Sequence, residues 1–507
     1  MSTARTYTGW SPEKVGSFFG MTGRQVTVVM VAILPPLTAI GRSHWGTAAK
    51  LLPITLMVVA LIVVPIRRRK AYRWLADFTS FQIGRAMGWS MWRSNAASGA
   101  ASSEELARVD LPGVLASLRT YDGPPFGPGG RRVCVIHQPH EGLWLATARC
   151  THPGIGGADE MMRDGYAAGL GGMLAAAAES EDVVRLSTLI RTVPDDGAER
   201  AAWVTDNEMA NLPDVVRIAS AEIEASTINA SVRHELFVTV GISEQRIHKA
   251  AGEAGGGVDG RARVLYRHLG EVEAQLRGLG VTQVDWLTSE GLAGAIRTGF
   301  NPAEAAGMEA ARQEQARGRS TVTGVPMGAA GPAKAPSPRS RRYVHDAFTT
   351  VSYAVMLPKR PTRVGSLSRI LTPSVPGERR TLALHYEPFS PGKADKQMDH
   401  DIWGAEMAED LKTTRGFRLT RREKRRSADA ARRDQQMMMG HTLVRVAGAA
   451  AVTVPSGHGV EDAASRFEAS ARAAGFQLLR LDLAQDSGFA AAVLPVGVGL
   501  PSRGWRK

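Results

Sequence analysis

The sequence predicts an α+β protein in which an N-terminal two-helix transmembrane hairpin is followed by two mixed α/β (ferredoxin-like) cytoplasmic domains. Three observations predict it. Two uncharged apolar runs stand near the start, over 25–41 and 51–66. Strand-like and helix-like segments alternate from about residue 130 onward. A stretch rich in Gly, Ala, Pro and Ser over 313–340 divides that alternating part in two. At 507 residues, 44% hydrophobic and 22% charged, the chain is long enough for about three domains and too apolar for wholesale disorder.

Residues 1–24 read as an N-terminal cytoplasmic segment. The runs QVTVVMVAILPPLTAIG and LLPITLMVVALIVVPI then form the hairpin over 25–66, because backbone polar groups in lipid must be satisfied within the segment. Pro35 and Pro36 predict a kink or half-depth wedge in the first helix. Arg67, Arg68, Arg69, Lys70 and Arg73 follow the second run at once, whereas the connecting loop holds only Arg42, His44 and Lys50. Basic residues favour the inner side, so both termini are expected in the cytoplasm and the chain in the inner membrane as a multi-pass protein. Trp74, Phe78, Phe81, Trp89 and Trp92 interleave with Arg73, Arg85 and Arg93, so 67–94 is expected to lie at the headgroup level.

A short Ala/Ser-rich connection leads into the first α+β domain, 105–312. Alternation over 133–137 and 143–148 around a turn at 139–142 predicts a β-hairpin. Helix 158–179, strand 183–193, helix 198–229, strand 235–241, helix 261–279, strand 281–286 and helix 289–298 complete it. After the flexible linker 313–340, the second domain, 341–500, starts with strand 347–357, a short helix at 363–371 and strand 380–387. A long basic helix over 391–439, strand 442–454, helix 459–474 and strand 476–482 follow. That order is similar to a ferredoxin-like sheet with a long helical insertion.

Recognisable catalytic signatures are missing from the sequence. It contains no G-x-x-x-x-G-K-[ST] loop, no C-x-x-C and no G-x-S-x-G, and His234–Glu235 lacks the second His of a zinc-protease motif at Val238. Cys134 and Cys150 flank the hairpin, provide neither a disulfide framework nor a metal cluster, and read as small core residues. His137 and His140, two imidazoles without a third ligand, read as solvent-exposed turn residues. No catalytic, cofactor-binding or metal-ligating residue is assigned, no cofactor is expected, and the chain is read as non-enzymatic.

Charge is the remaining signal. The net charge of +13 points to an anionic partner, and 415–433 alone holds nine basic residues against Glu423 and Asp429. A solvated helix, an anionic-lipid contact and a nucleic-acid path all fit this stretch; the contact residues would be Arg421, Arg422, Arg425 and Arg426.

The opening helix pair followed by Pro65-Ile-Arg-Arg-Arg-Lys-Ala-Tyr-Arg-Trp74 resembles the small two-helix inner-membrane subunit of conjugative type IV secretion systems, the PrgI-like family. The C-terminal domain resembles the N-terminal, non-catalytic half of the large transfer ATPase of the same machines. The matching pieces are 353–358, 364–385, the long basic helix, and Gly475-Phe476-Gln477-Leu478-Leu479 leading through Gln485 and Phe489 to Leu494-Pro495. Proteins of this build are similar to ones in actinobacterial conjugation-like loci. The resemblance implies a structural component of a secretion or conjugation apparatus that recruits a separate P-loop ATPase and works beside other secretion subunits within an oligomeric complex. The alternative expectation is a membrane-tethered nucleic-acid binder that guides DNA.

Overall fold

The computed structural model describes residues 23–66, 69–88, 91–99, 101–194, 207, 213–228, 232–318, 324–336, 339–356, 358, 362, 365–373, 375, 377–396 and 435–499. The chain forms two compact units, one containing 9–89 and 395–438 and the other the remainder.

In the smaller unit, α1 (Gly23–Gly41) and α2 (Trp45–Val63) lie side by side, with the Thr55 hydroxyl donating to the Ala32 carbonyl at 3.0 Å. Ser43, with φ of 59°, turns the chain between them. The helix α1 runs on through Pro35 and Pro36. α3 (Ala71–Ala86) follows a two-residue antiparallel pairing of Pro65–Ile66 with Arg69–Lys70.

The expected multi-pass placement in the inner membrane, with both termini cytoplasmic, is overturned here. Among the described residues one helix, Trp45–Val63, is long and apolar enough to cross a membrane; the apolar part of α1, Thr27–Gly41, is shorter. The reason is length. At about 1.5 Å per residue such a segment rises only ~22 Å, against a hydrocarbon core of about 30 Å.

The larger unit is mixed α/β and is built on one eleven-stranded antiparallel sheet. Its strands are β1 (Arg119–Phe126), β2 (Arg131–Gln138), β3 (Leu143–Thr151), β4 (Val183–Pro194), β5 (Val232–Ser243) and β6 (Gln283–Trp286), then β7 (Tyr343–His345), β8 (Phe348–Met356), β9 (Arg379–Pro388), β10 (Val444–Pro455) and β11 (Gln477–Arg480). Across the sheet they run β7-β8-β10-β9-β4-β5-β3-β2-β1, with β11 on β8 and β6 on β3. The regions expected as domains over 105–312 and 341–500 therefore share a sheet, because β4 pairs with β9. Pairing them hides two edges that would otherwise expose unpaired backbone groups.

Helices cover both faces. α8 (Ser289–Phe300) and α12 (Gln485–Val493) share one core with Leu189, Phe237, Ala383 and Ala451. On the other face, α4 (Glu160–Glu179), α6 (Glu244–Glu253) and α7 (Gly257–Gly278) pack over Val238, Val240 and Ile242. α10 (Ser368–Leu371) and α11 (Val460–Ala473) pack over Ala450, Val452 and Val454. Period-2 alternation along β5 and β10 sends successive side chains to these opposite cores. Three further helices are α5 (Asp214–Ile228), α9 (Ala305–Ala316) and the short helix Ser103–Ala107. The long helix expected over 391–439 falls mostly outside the described residues. Within the stretch expected as a linker, Met327 and Ala330 are buried.

Apart from β1, the two halves of this sheet match strand for strand. β3 pairs along one edge with β5, and along the other with β2 near its start and β6 near its end; β8 does the same with β10, β7 and β11. Where β4 meets β9, Ser187 faces His385 and Arg191 faces Thr381, with Leu189 opposite Ala383 midway. Exchanging the halves maps each of these pairs onto the other, which is a pseudo-two-fold axis through Leu189 and Ala383. Helix ends follow the same rule: Gly280 after α7 and Gly475 after α11 both hold left-handed φ, 83° and 84°. The 3-10 turns Gly113–Leu115 and Met327–Ala329, led by Pro112 and Pro326, are a further matching pair.

Candidate functional site

None of the residues singled out by the sequence converge on a site. Arg67, Arg68, Arg421, Arg422, Arg425 and Arg426 lie outside the described residues. Arg69 and Lys70 form the short strand before α3, and Arg73 and Trp74 lie in its first turn. The Trp74 indole stacks on Phe78 with ring centroids 5.2 Å apart. Cys134 and Cys150 are both buried but in separate cores on opposite sheet faces, and burial pushes each thiol up to about 12. His137 stacks on Trp144 at 4.2 Å and meets the Glu244 carboxylate at 3.2 Å, so it is a packed strand residue and not an exposed turn residue. Among the described residues no group of three or more His, Cys, Asp or Glu side chains is placed to hold a metal ion.

What the fold does assemble is a cleft of about 1190 Å3 at one end of the β4–β9 seam, lined by both charged and apolar side chains. Arg185 of β4 forms its buried wall. Its guanidinium donates to Glu141, to the Glu387 carboxylate at 3.0 Å and to the Gly497 carbonyl at 3.2 Å. Arg445 of β10 donates to the other Glu387 oxygen at 2.8 Å and lies over the Phe389 ring at 5.2 Å. Burial works against ionisation of Glu387, but Arg185 and Arg445 outweigh it and hold the carboxyl below its ordinary range. Asp486, in the first turn of α12, is held above its ordinary range by burial. Arg246 of α6 and the exposed Lys393 complete the rim.

Beneath Arg185, Ser187 and His385 form a hydrogen-bonded pair at 2.9 Å. The second imidazole nitrogen is 3.1 Å from the Ala491 carbonyl, and burial, followed by Arg185, pulls the imidazole down to about 4. Both ring nitrogens are engaged and both side chains are buried, so the pair clamps α12 onto the sheet and has no open face for a substrate.

The pseudo-two-fold places a second arginine cluster at the opposite end of the seam. Arg379 of β9, equivalent to Arg185, donates to the Thr298 carbonyl of α8. Arg191, equivalent to His385, donates to the Ala295 carbonyl at 2.8 Å and to Glu235 at 2.7 and 3.0 Å. Although burial opposes it, the charges of Arg191, Arg379 and Arg149 hold Glu235 at about 2. Sequence reasoning missed both clusters, because Glu141, Arg185, Glu387 and Arg445 share no motif. The available signal was local: Arg185 and Arg191 interrupt the apolar face of a strand otherwise rich in Val, Leu and Ile, and buried charge demands a partner.

The fold and cleft define a class: a mixed α/β protein with an ion-paired cleft at a sheet seam, joined in sequence to a unit carrying an exposed apolar helix. No protein-family model matches the chain, and no curated protein matches it.

Proposed function

We propose that this chain is a membrane-attached docking component of a type IV secretion or conjugation-like apparatus, holding a separate P-loop ATPase beside the membrane. One observation carries the reading. The apolar window of α2 is only 6% buried, and Leu56 and Met57 are 69% and 62% exposed. An apolar helix left bare by the described residues needs a nonaqueous cover, and at this length a bilayer supplies one. The large sheet unit then serves as the docking body, each half of it a ferredoxin-like βαββαβ unit: β3-α4-β4-β5-α7-β6, and β8-α10-β9-β10-α11-β11. The resemblance of 341–500 to the non-catalytic half of a transfer ATPase supports the kind of partner.

Two measurements test this reading. After an alkaline-carbonate wash the full chain is expected to stay with the membrane pellet. Gentle detergent extraction with crosslinking is expected to bring down a P-loop ATPase. Release of the intact chain by carbonate, or recovery without any ATPase, would end the proposal.

The net charge of +13 and the basic stretch 415–433 support a second reading, a nucleic-acid binder. DNA affinity should then fall steeply with salt and disappear on charge reversal at Arg421, Arg422, Arg425 and Arg426. Binding that survives the reversal removes these residues from consideration.

A further inference from the structure

The cleft is one of two pseudo-equivalent ends of the seam, and the other end is plugged. There the chain continues past α8 through Asn301 and the turn Pro302–Glu304. Arg297 grips Glu304 with two bonds, at 2.7 and 2.5 Å, and reaches the Gly331 carbonyl at 2.7 Å and Asp346 at 3.1 Å. Asn301 adds a third bond to Glu304 at 2.8 Å. The plug is therefore a peptide turn held by a carboxylate on an arginine. Its surroundings are the 3-10 turn at Met327–Ala329 and the β7–β8 turn that carries Asp346.

The equivalent elements at the open end are the 3-10 turn Gly113–Leu115 and the β2–β3 turn with Glu141, and both line the cleft. α12, Gln485–Val493, contains no arginine, so no guanidinium of that helix grips a plug here. Two cations face the space from elsewhere. Among the described residues the exposed Lys393 ammonium has no partner, and the half-buried Arg246 donates to the Glu181 carbonyl and to no other group. Glu141 and Glu387 are already matched by Arg185 and Arg445, and burial holds Asp486 above its ordinary range, which leaves Lys393 and Arg246 as the uncommitted cations of the lining. The volume, about 1190 Å3, exceeds the ~300–1,000 Å3 of small-ligand pockets and suits an extended segment.

We infer that this cleft is a docking site for an acidic peptide segment of a partner protein, whose carboxylates bind Lys393 and Arg246 as Glu304 binds Arg297 at the plugged end. The inference rests on the docking reading and names its contact.

Full-length protein in detergent would be titrated with a fluorescent ten-residue peptide of Glu, Asp, Gly and Ser, read by anisotropy. The acidic peptide should bind, with affinity falling as salt rises. Lys393→Glu and Arg246→Glu should each weaken binding at least tenfold, while Arg277→Glu, on the far part of α7, should leave it unchanged. Lys393→Gln, which only removes the charge, should give an intermediate loss and guards against a misfolded reversal variant.

Absence of binding, equal loss in Arg277→Glu, or full competition by inorganic phosphate at matched charge would overturn the inference. Recovery of the ATPase alongside a negative titration would sink the cleft alone. A positive titration without an ATPase partner would sink the docking reading and leave the peptide site standing.

Discussion

Glu235 is a carboxylate withdrawn from water among Arg191, Arg379 and Arg149. Removing one member of such a group leaves the others buried and uncompensated, so Glu235→Gln should destabilise the sheet unit by about 3–5 kcal/mol. Adding Arg379→Met to that variant should recover part of the loss; chemical denaturation of the single and double variants would measure both.

Buried histidines set a pH dependence at the same scale. His385 and His345 are pulled down to about 4 and about 3, in each case chiefly by burial. In the unfolded chain they take up protons near 6.5. Between those values the unfolded state binds more protons than the folded one. Stability is therefore full above about pH 6.5 and falls as the pH drops towards 4, by about 1.4 kcal/mol per pH unit for each proton. Glu235 adds a further loss below its ordinary value of 4.5, continuing towards pH 2. Replacing His385 with Gln should lower the slope between pH 6.5 and 4 by about one proton; an unchanged slope would show that His385 is not buried neutral.

At the level of elements, α8 and α12 meet over the seam. Phe300 and Phe489 lie 4.9 Å apart, with His345 4.6 Å from Phe489. Phe489→Ala should open a cavity shared by both halves and cost about 3–5 kcal/mol. The α7–β6 connection depends on Gly280. Its φ of 83° is left-handed, and a Cβ there would come within 2.8 Å of the Tyr166 ring. Gly280→Ala should cost more than the ~1 kcal/mol of a simple backbone penalty, whereas Gly278→Ala, at the end of α7 with open space around it, should not. Thermal melts of the two variants would separate steric from conformational effects.

Across the whole molecule, the two sheet halves behave as one body because their shared core crosses the seam. Leu189 and Ala383 lie in the same core as Phe300 and Phe489. Inserting a protease site within 319–323 and cutting the folded full chain should leave both pieces eluting together and melting in one transition. Separation on a sizing column would mean that the β4–β9 pairing and the common core are weaker than their burial implies. Among the described residues, the seam is filled at one end by Glu304 on Arg297, while the other end is the cleft that Lys393 and Arg246 line.

How much was legible in advance follows from the range of each interaction. Every strand from β2 to β11 except the short β7 was anticipated within a few residues, because alternation and turn residues are local properties of the chain. The apolar run that became α2 was equally plain. Four hidden features were not: the β4–β9 junction, the pseudo-two-fold, the neutral His385 and the cleft at Arg185. Each joins residues that are far apart in sequence, such as Arg185 with Glu387 and Gly497, and no spacing rule connects them. Composition and periodicity by themselves marked most of the strands and the place of the exposed apolar helix, but not β1, β7, α6, α9 or α12. Only tertiary folding decided which strand edges meet and which buried charges find partners, because those energies arise between groups brought together by the finished sheet.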